Sequence, residues 1–174
     1  VSRGPIREAL RQLEQEGMVE YTRNVGCSVR EITIQDVYET YLLRSNYEMI
    51  AVRLYEAQFT DEEIARMEEA LELMKNLTIE NYSKIVSYGC MLHEVIIEKA
   101  GLARLKKAWQ DQEYGEILSC NAGFVDKQTV LERQYPIHRE LVDICKTRDV
   151  EAICNAISDH YMLTIKRLKN EEQE

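Results

Sequence analysis

The chain has only three histidines, and their type and spacing suit metal or ligand chemistry better than any other residues. His138 and His160 each stand 11 residues from Asp149, which lies in the predicted turn of a helical hairpin. At about 1.5 Å per residue, two arms of about 16 Å bring them to the same height in an antiparallel pair. Neutral imidazoles that meet in a polar cavity are good ligands for zinc, nickel or manganese. The alternative is that each inward histidine is only a hydrogen-bonded core residue, and spacing alone leaves both open.

All three histidines lie on apolar stripes with helical spacing, so we expect them to point into one bundle. The stripe of His93 contains Val86, Cys90, Ile97 and Ala100, that of His138 contains Leu141, Val142 and Cys145, and that of His160 contains Ile153, Ile157 and Thr164.

The elements that must position these histidines are helical from residue 34 onward. The short loops between long amphipathic segments predict an all-α antiparallel bundle of about six helices. A capping box at Thr60 opens the second helix, Thr78 is expected to cap the third, and Gly101 to close it. The predicted segments run over about Thr33–Ala57, Thr60–Asn76, Thr78–Gly101, Leu102–Cys120 and a hairpin over 126–170 with its turn at 147–149.

The first 30 residues predict one helix followed by a β-hairpin. Ser2 is a good N-cap, and Gly17 ends the helix. Arg3, Arg7 and Arg11 recur every four residues on the face opposite the apolar stripe. Strands over 18–22 and 27–30 then flank a turn that contains Asn24 and Gly26. Such an arginine helix suits the major groove of DNA, although an arginine stripe alone is more often a solvated face.

Composition and charge narrow the function classes. The 174 residues carry a net charge of −9, but residues 1–30 carry five arginines and four glutamates, so only this segment suits a phosphate backbone. Five cysteines without a CxxC pair predict reduced thiols. No apolar run approaches the length of a membrane span, and we expect a cytoplasmic protein that is not bound to membranes.

The histidines lack the Glu-x-x-His motifs of di-iron proteins, and no nucleotide-binding or nucleophile motif is present, so we expect no enzyme.

Residues 1–19 and the Asn24-Val25-Gly26 turn resemble the recognition helix and wing of the GntR family of bacterial transcription regulators. The resemblance implies a partial winged helix-turn-helix over 1–32, with DNA contacts from Arg3 and Arg7, a phosphate contact near Ser2, and minor-groove or backbone contacts near Asn24 and Gly26. One helix and two strands cannot bury a core, so we expect further helices before them in the complete protein. Gly4 stands where the family often has threonine, which removes a hydroxyl contact to DNA.

Residues 33–174 resemble the FCD effector domain of GntR regulators. That domain has a D-x-x-[FL]-H motif, matched by Gly89-Cys-Met-Leu-His93 except at its aspartate, and two later histidines 22 residues apart, matched by His138 and His160. The resemblance implies a metal site of these three histidines, weakened because Gly89 replaces the carboxylate. Cys90 is either a thiolate substitute or a core cysteine.

Arg44 begins an R-x-x-x-E motif that also resembles the FCD domain. It is either a bidentate clamp for an effector carboxylate or an intrahelical partner of Glu48. The resemblance as a whole implies a ligand-responsive regulator, by family default a repressor, that binds a palindromic operator as a homodimer and responds to a small organic acid. The main alternative is a metal-free helical sensor or dimerisation module. A metalloenzyme is a further alternative that the motifs favour much less.

Overall fold

The computed structural model describes residues 3–15, 17–112 and 126–171, with side chains up to residue 169. The chain divides into two compact units, residues 1–33 and residues 34–174. The described part is helical apart from one two-stranded sheet. None of its helices has the length and apolar character that crossing a membrane requires.

The first unit contains helix α1 (Arg3–Gln15) and the antiparallel strands β1 (Val19–Thr22) and β2 (Gly26–Val29), as predicted. Gly17, with φ of 74°, follows α1, and the backbone N–H groups of Gly17 and Met18 donate to the carbonyls of Glu14 and Leu13. This is the Schellman pattern, which favours glycine because its φ is positive. The hairpin turn uses positive φ at Asn24 and Gly26.

The second unit is a bundle whose interior is formed by all its longer helices. Helix α2 packs mainly on α7, whereas α3 packs on α4 and α6. The helices are α2 (Ile34–Leu54), α3 (Asp61–Lys75), α4 (Ile85–Lys99), α5 (Ala103–Gln110), α6 (Lys127–Cys145) and α7 (Val150–Glu171), with a 3-10 turn over Tyr82–Lys84.

Two predicted helix signals are present. Thr60 and Glu63 form the reciprocal capping box, with the Glu63 N–H donating to Thr60 Oγ1 at 3.2 Å and the Thr60 N–H to Glu63 Oε2 at 2.8 Å. The turn between α6 and α7 lies where it was predicted, with Arg148 at a φ of 56°.

Three predicted boundaries are wrong. Helix α2 ends at Leu54 because Glu56 and Ala57 adopt positive φ. Thr78 was predicted to cap α4, but its N–H donates to the Asn81 side chain at 2.7 Å. This hydrogen bond closes a local turn, and α4 begins only at Ile85. Helix α5 ends at residue 110 and not at Cys120, while the rest of that segment and the predicted break over 121–123 lie outside the described residues.

Candidate metal and effector site

Three helices of the second unit bring the histidines into one cluster, with His93 on α4, His138 on α6 and His160 on α7. Each ring offers one ligand nitrogen, and these three atoms lie within 4.8 Å of one another. The ring centroids are 4.6 Å apart for His138 and His160 and 4.9 to 5.4 Å apart for the pairs with His93. His93 and His138 are buried, and His160 is half-buried. The equal arms of the hairpin therefore do place two imidazoles at one height.

Hydrogen bonds at Nδ1 orient two of the three rings. Nδ1 of His93 lies 2.8 Å from Oε2 of Glu48, and Nδ1 of His138 lies 2.8 Å from the carbonyl of Gln134. Since a carboxylate and a carbonyl only accept, each ring donates from Nδ1, and in the neutral ring Nε2 keeps its lone pair. Ligating histidines in metalloproteins are commonly fixed in this way.

Glu48 is the centre of a buried polar network that reaches His93 from α2. Its Oε1 accepts hydrogen bonds from Trp109 Nε1 at 2.9 Å and from the Tyr161 hydroxyl at 2.7 Å. Burial by itself raises the pKa of the Glu48 carboxyl, but the charges of His93 and Arg44 and the hydrogen bonds from His93 and Tyr161 outweigh it, and the pKa is lowered. An ionised carboxylate that accepts three hydrogen bonds holds its donors in fixed positions.

Burial dominates the protonation of the other two histidines. Burial lowers the pKa of His138 to about 3, with a further decrease from His93 and an opposing effect from the Gln134 carbonyl. Burial also lowers the pKa of His160 well below 6.5, and His138, His93 and Arg44 add to this, while the Ile137 backbone opposes it. Both rings are therefore neutral at physiological pH, the state in which imidazole is a metal ligand.

The donor set fits a divalent metal. Nδ1 of His160 is buried and makes no hydrogen bond of ordinary geometry, so the cluster contains a polar atom without a partner. Nitrogens bound at about 2.0–2.1 Å to one tetrahedral zinc lie about 3.4 Å apart, which is inside the 4.8 Å within which the three nitrogens lie here. Among the described residues, no carboxylate or thiol joins the three imidazoles as a ligand. Gly89 lies buried on α4, one turn before His93.

Arg44 is fully buried next to this cluster. Its Nε donates to the Tyr161 hydroxyl at 3.3 Å, and its guanidinium stacks at 4.1 Å over the Trp109 ring. Its Nη2 lies 3.6 Å from Sγ of Cys90. The predicted effector residue is thus connected through Tyr161 and Glu48 to His93.

Two comparisons bear on the identity of this fold and site. The structure of a transcriptional regulator described as GntR from Rhodococcus sp. RHA1 has a TM-score of 0.77, with 20% identity, over 98% of this chain and 81% of that one. The model of the FCD domain family matches residues 39–162, well over half of the chain. The chain belongs to the FCD group of the GntR family.

Two curated relatives agree with this assignment. This chain is 28% identical over 177 residues to the HTH-type transcriptional regulator YdhC of Bacillus subtilis. The match covers 98% of this chain and 76% of that protein. The chain is also 26% identical over 160 residues to a probable D-xylose utilization operon transcriptional repressor of Paenarthrobacter nicotinovorans, covering 91% of this chain and 70% of that protein. The expectation of a transcription regulator and not an enzyme is therefore confirmed.

The predicted DNA-contacting residues of this GntR regulator lie in its first unit. Arg3 and Arg7 are exposed on α1, and Asn24 and Gly26 form the hairpin turn. Ser2 lies outside the described residues. A Cβ added at Gly4 would meet no other atom within 4 Å, so open space surrounds the position where the family often carries threonine.

The sequence did not identify the residues that orient the cluster. The R-x-x-x-E motif indicates Glu48 only as a partner of Arg44, and no sequence pattern assigns a role to Trp109, Tyr161 or Gln134. One signal was available: Arg44 and Glu48 lie one turn apart on the inner face of α2, and two charges on an inner face need buried partners.

Proposed function

We propose that this GntR regulator binds a divalent metal through His93, His138 and His160 and senses a small organic acid next to that metal. The observation that carries the proposal is the convergence of one nitrogen from each ring within 4.8 Å. Zinc, nickel and manganese are all candidates, since each accepts imidazole ligands. A bound cation supplies a Lewis-acid charge that attracts a carboxylate.

Arg44 provides the second positive charge for the acid. Its charge contributes to the lowered pKa of both His160 and Glu48, so its field reaches the cluster. A guanidinium binds a carboxylate through two parallel hydrogen bonds, which orients the ligand as well as attracting it. Stacking on Trp109 and the bond to Tyr161 keep Arg44 in place for this contact. The competing role is that of a partner that holds Glu48 ionised.

A groove between α6 and α7 supports access to the cluster from solvent. Its volume is about 260 Å³, and His160 forms part of its wall. Glu140 and Asp159 also line it, and their negative charges favour the approach of a cation. Arg167 at the same groove offers a contact for an anion.

The winged-helix unit, over residues 1–32, binds operator DNA, and the helical unit, over 33–174, regulates that binding. We propose that the regulator acts as a homodimer on a palindromic operator in the cytoplasm. An acid that binds one packing arrangement of the helices more tightly than another shifts the populations of the two and so changes the affinity for DNA, and DNA changes the affinity for the acid by the same factor. Repression, supported by the relative named as a repressor, is the proposed outcome.

The second candidate is a metal-free sensor or dimerisation module. One observation favours it: the family's aspartate is replaced by Gly89, so an anionic ligand is missing from the motif. In that case His138 and His160 remain neutral core residues with lowered pKa values.

The metal content of purified protein separates these candidates. We expect about one divalent metal per chain after mild purification, and a loss of most of it in His138→Asn, whose amide nitrogen takes the place of Nδ1 and retains a donor for the Gln134 carbonyl while the imidazole is removed. Val142→Ala is the matched control, because Val142 is a buried residue on the same helix that is not a ligand. Equal metal content in all three proteins, measured by plasma mass spectrometry, would contradict the proposal.

A further inference from the structure

The charges that the helical unit buries next to the histidine cluster cancel each other. Apart from the histidines, Arg44 and Glu48 are the only buried side chains with an ionisable charge among the described residues. Tyr161 joins the two, because its hydroxyl accepts from Arg44 Nε at 3.3 Å and donates to Glu48 Oε1 at 2.7 Å. A cation and an anion of equal charge thus leave this part of the core with no net charge of its own.

A divalent metal at the cluster adds two positive charges that the protein does not balance. Imidazole binds a metal as a neutral ligand, so the three histidines bring no charge to it. In the part of the chain that the structure describes, no carboxylate or thiol lies with the three ring nitrogens. Glu48 contacts His93 at Nδ1, and Arg44 already balances its charge. Counting the ion's own charge, the loaded core has an excess of two positive charges.

Burial makes such an excess unfavourable. The protein interior solvates a charge much less well than water does, so a buried charge needs a partner of opposite sign. Water in an open metal position is neutral and leaves the excess as it is. A ligand with one negative charge removes half of it, whereas a ligand with two removes all of it.

The two positive centres lie close enough together for one small ligand. The ring centroid of Tyr161 is 5.3 Å from that of His93 and 5.3 Å from that of His160, and its hydroxyl contacts Arg44. A single side chain therefore separates the guanidinium from the cluster. Two carboxylates joined by a short carbon chain match this arrangement, since a guanidinium binds a carboxylate through parallel hydrogen bonds.

We propose that the effector of this GntR regulator is a small dicarboxylate, and that it and the metal each bind more tightly when the other is present. One carboxylate supplies the anion that the described residues do not place at the metal, and the other pairs with Arg44. This inference rests on the metal and acid site of the proposed function. It names the class of acid and the coupling between the two ligands.

Zinc titration measures this coupling. The zinc affinity of the 174-residue chain is determined by competition with a chromogenic chelator, without acid and with dicarboxylates and monocarboxylates of equal carbon number. The pairs are malonate with propionate, succinate with butyrate, and glutarate with valerate. We expect the dicarboxylate of at least one pair to tighten zinc binding about tenfold, and its monocarboxylate by less than about threefold. Dicarboxylates also bind free zinc, which opposes a gain, so an increase must come from the protein.

Trp109 provides the same measurement from the side of the acid. It is the one tryptophan of the chain, its ring lies 4.1 Å from the guanidinium of Arg44, and it donates to Glu48 at 2.9 Å. Binding of an acid at Arg44 should therefore change its fluorescence. Zinc should tighten dicarboxylate binding by the same factor as the dicarboxylate tightens zinc binding, because such coupling is reciprocal.

Gly89→Asp tests whether charge is the cause. Gly89 lies one turn before His93 on the inner face of α4, so an aspartate there adds an anion next to the cluster. We expect tighter zinc binding without acid, and a gain from the dicarboxylate of less than about threefold. Gly89→Asn is the matched control, because it has the same size without the charge, and it should keep the full gain. The titrations of the unchanged chain do not depend on either variant.

Zinc binding that no dicarboxylate tightens, or that the matched monocarboxylate tightens equally, would overturn this inference and leave the histidine metal site standing. An undiminished dicarboxylate gain in Gly89→Asp would also overturn it, because the missing negative charge would then not be the cause. Failure to bind zinc under all of these conditions would contradict the metal site itself, and this inference with it.

Discussion

Glu48 and Glu68 both receive partners from other helices, but one lies in the core and the other at the surface. Glu48 is fully buried and binds side chains of α4, α5 and α7. The side chain of Glu68, on α3, is 32% exposed and pairs with Arg139 of α6 at 2.8 Å and with Lys146, which directly follows α6, at 2.6 Å.

The difference shows how burial determines what a carboxylate does. In the core, a donor that loses its partner cannot turn to water, so the network around Glu48 has one low-energy arrangement. At the surface, water replaces a lost partner, and ion pairs contribute little. We infer that Glu48 fixes the orientation of His93 and so prepares the cluster, whereas Glu68 adds only modestly to the packing of α3 on α6.

The largest expected effect comes from Glu48→Gln. An amide provides one acceptor oxygen where the carboxylate has two, so its NH₂ group faces a donor from His93, Trp109 or Tyr161. The buried charge of Arg44 also loses its neighbouring anion. We expect a loss of about 3–5 kcal/mol in the free energy of unfolding, measured by urea denaturation at neutral pH.

The control for this variant is Glu69→Gln, an exposed glutamate of α3. It should change the free energy of unfolding by less than about 0.5 kcal/mol. If Glu48→Gln changed the free energy of unfolding as little as Glu69→Gln does, the hydrogen bonds of Glu48 would not hold the cluster in place. The proposed difference between the buried and the exposed carboxylate would then be wrong.

A smaller effect, with a defined pH dependence, is expected for Glu68→Gln. Burial tends to raise the pKa of the Glu68 carboxyl, but hydrogen bonds from Arg139 and Lys146 outweigh it, and the pKa in the folded state is lowered from 4.5. Such a group stabilises the fold above its unfolded pKa and loses that contribution as pH falls through its folded pKa. The variant should therefore be less stable than the unchanged chain by up to about 1 kcal/mol at pH 7.

This difference should shrink below a pH of about 4.5 and vanish in stronger acid. Urea denaturation at several pH values between 3 and 7 measures it. A difference that stays constant across this range would show that Glu68 acts through packing and not through its charge.

Local sequence signals predicted much of the fold and the ligands of the candidate site. Equal distances from the Asp149 turn predicted that His138 and His160 meet, because helical rise is constant. The capping box at Thr60 and the glycine after α1 likewise depend on neighbouring residues. The prediction that Thr78 caps α4 was wrong because Thr78 instead forms a local turn with Asn81.

The network around the cluster could not be predicted in this way. Glu48 meets Trp109 and Tyr161 across 61 and 113 residues of sequence. Which polar residues meet in the core depends on how α2, α5 and α7 pack, and the spacing within one helix does not contain that information.

X-ray absorption of the zinc-loaded chain measures whether the three histidines bind one metal together. We expect three imidazole nitrogens at about 2.0–2.1 Å from the metal, and two in the variant His160→Gln. Two results would contradict it: a shell of sulfur at about 2.3 Å, which would assign the site to Cys90 or another thiol, or a spectrum that His160→Gln leaves unchanged.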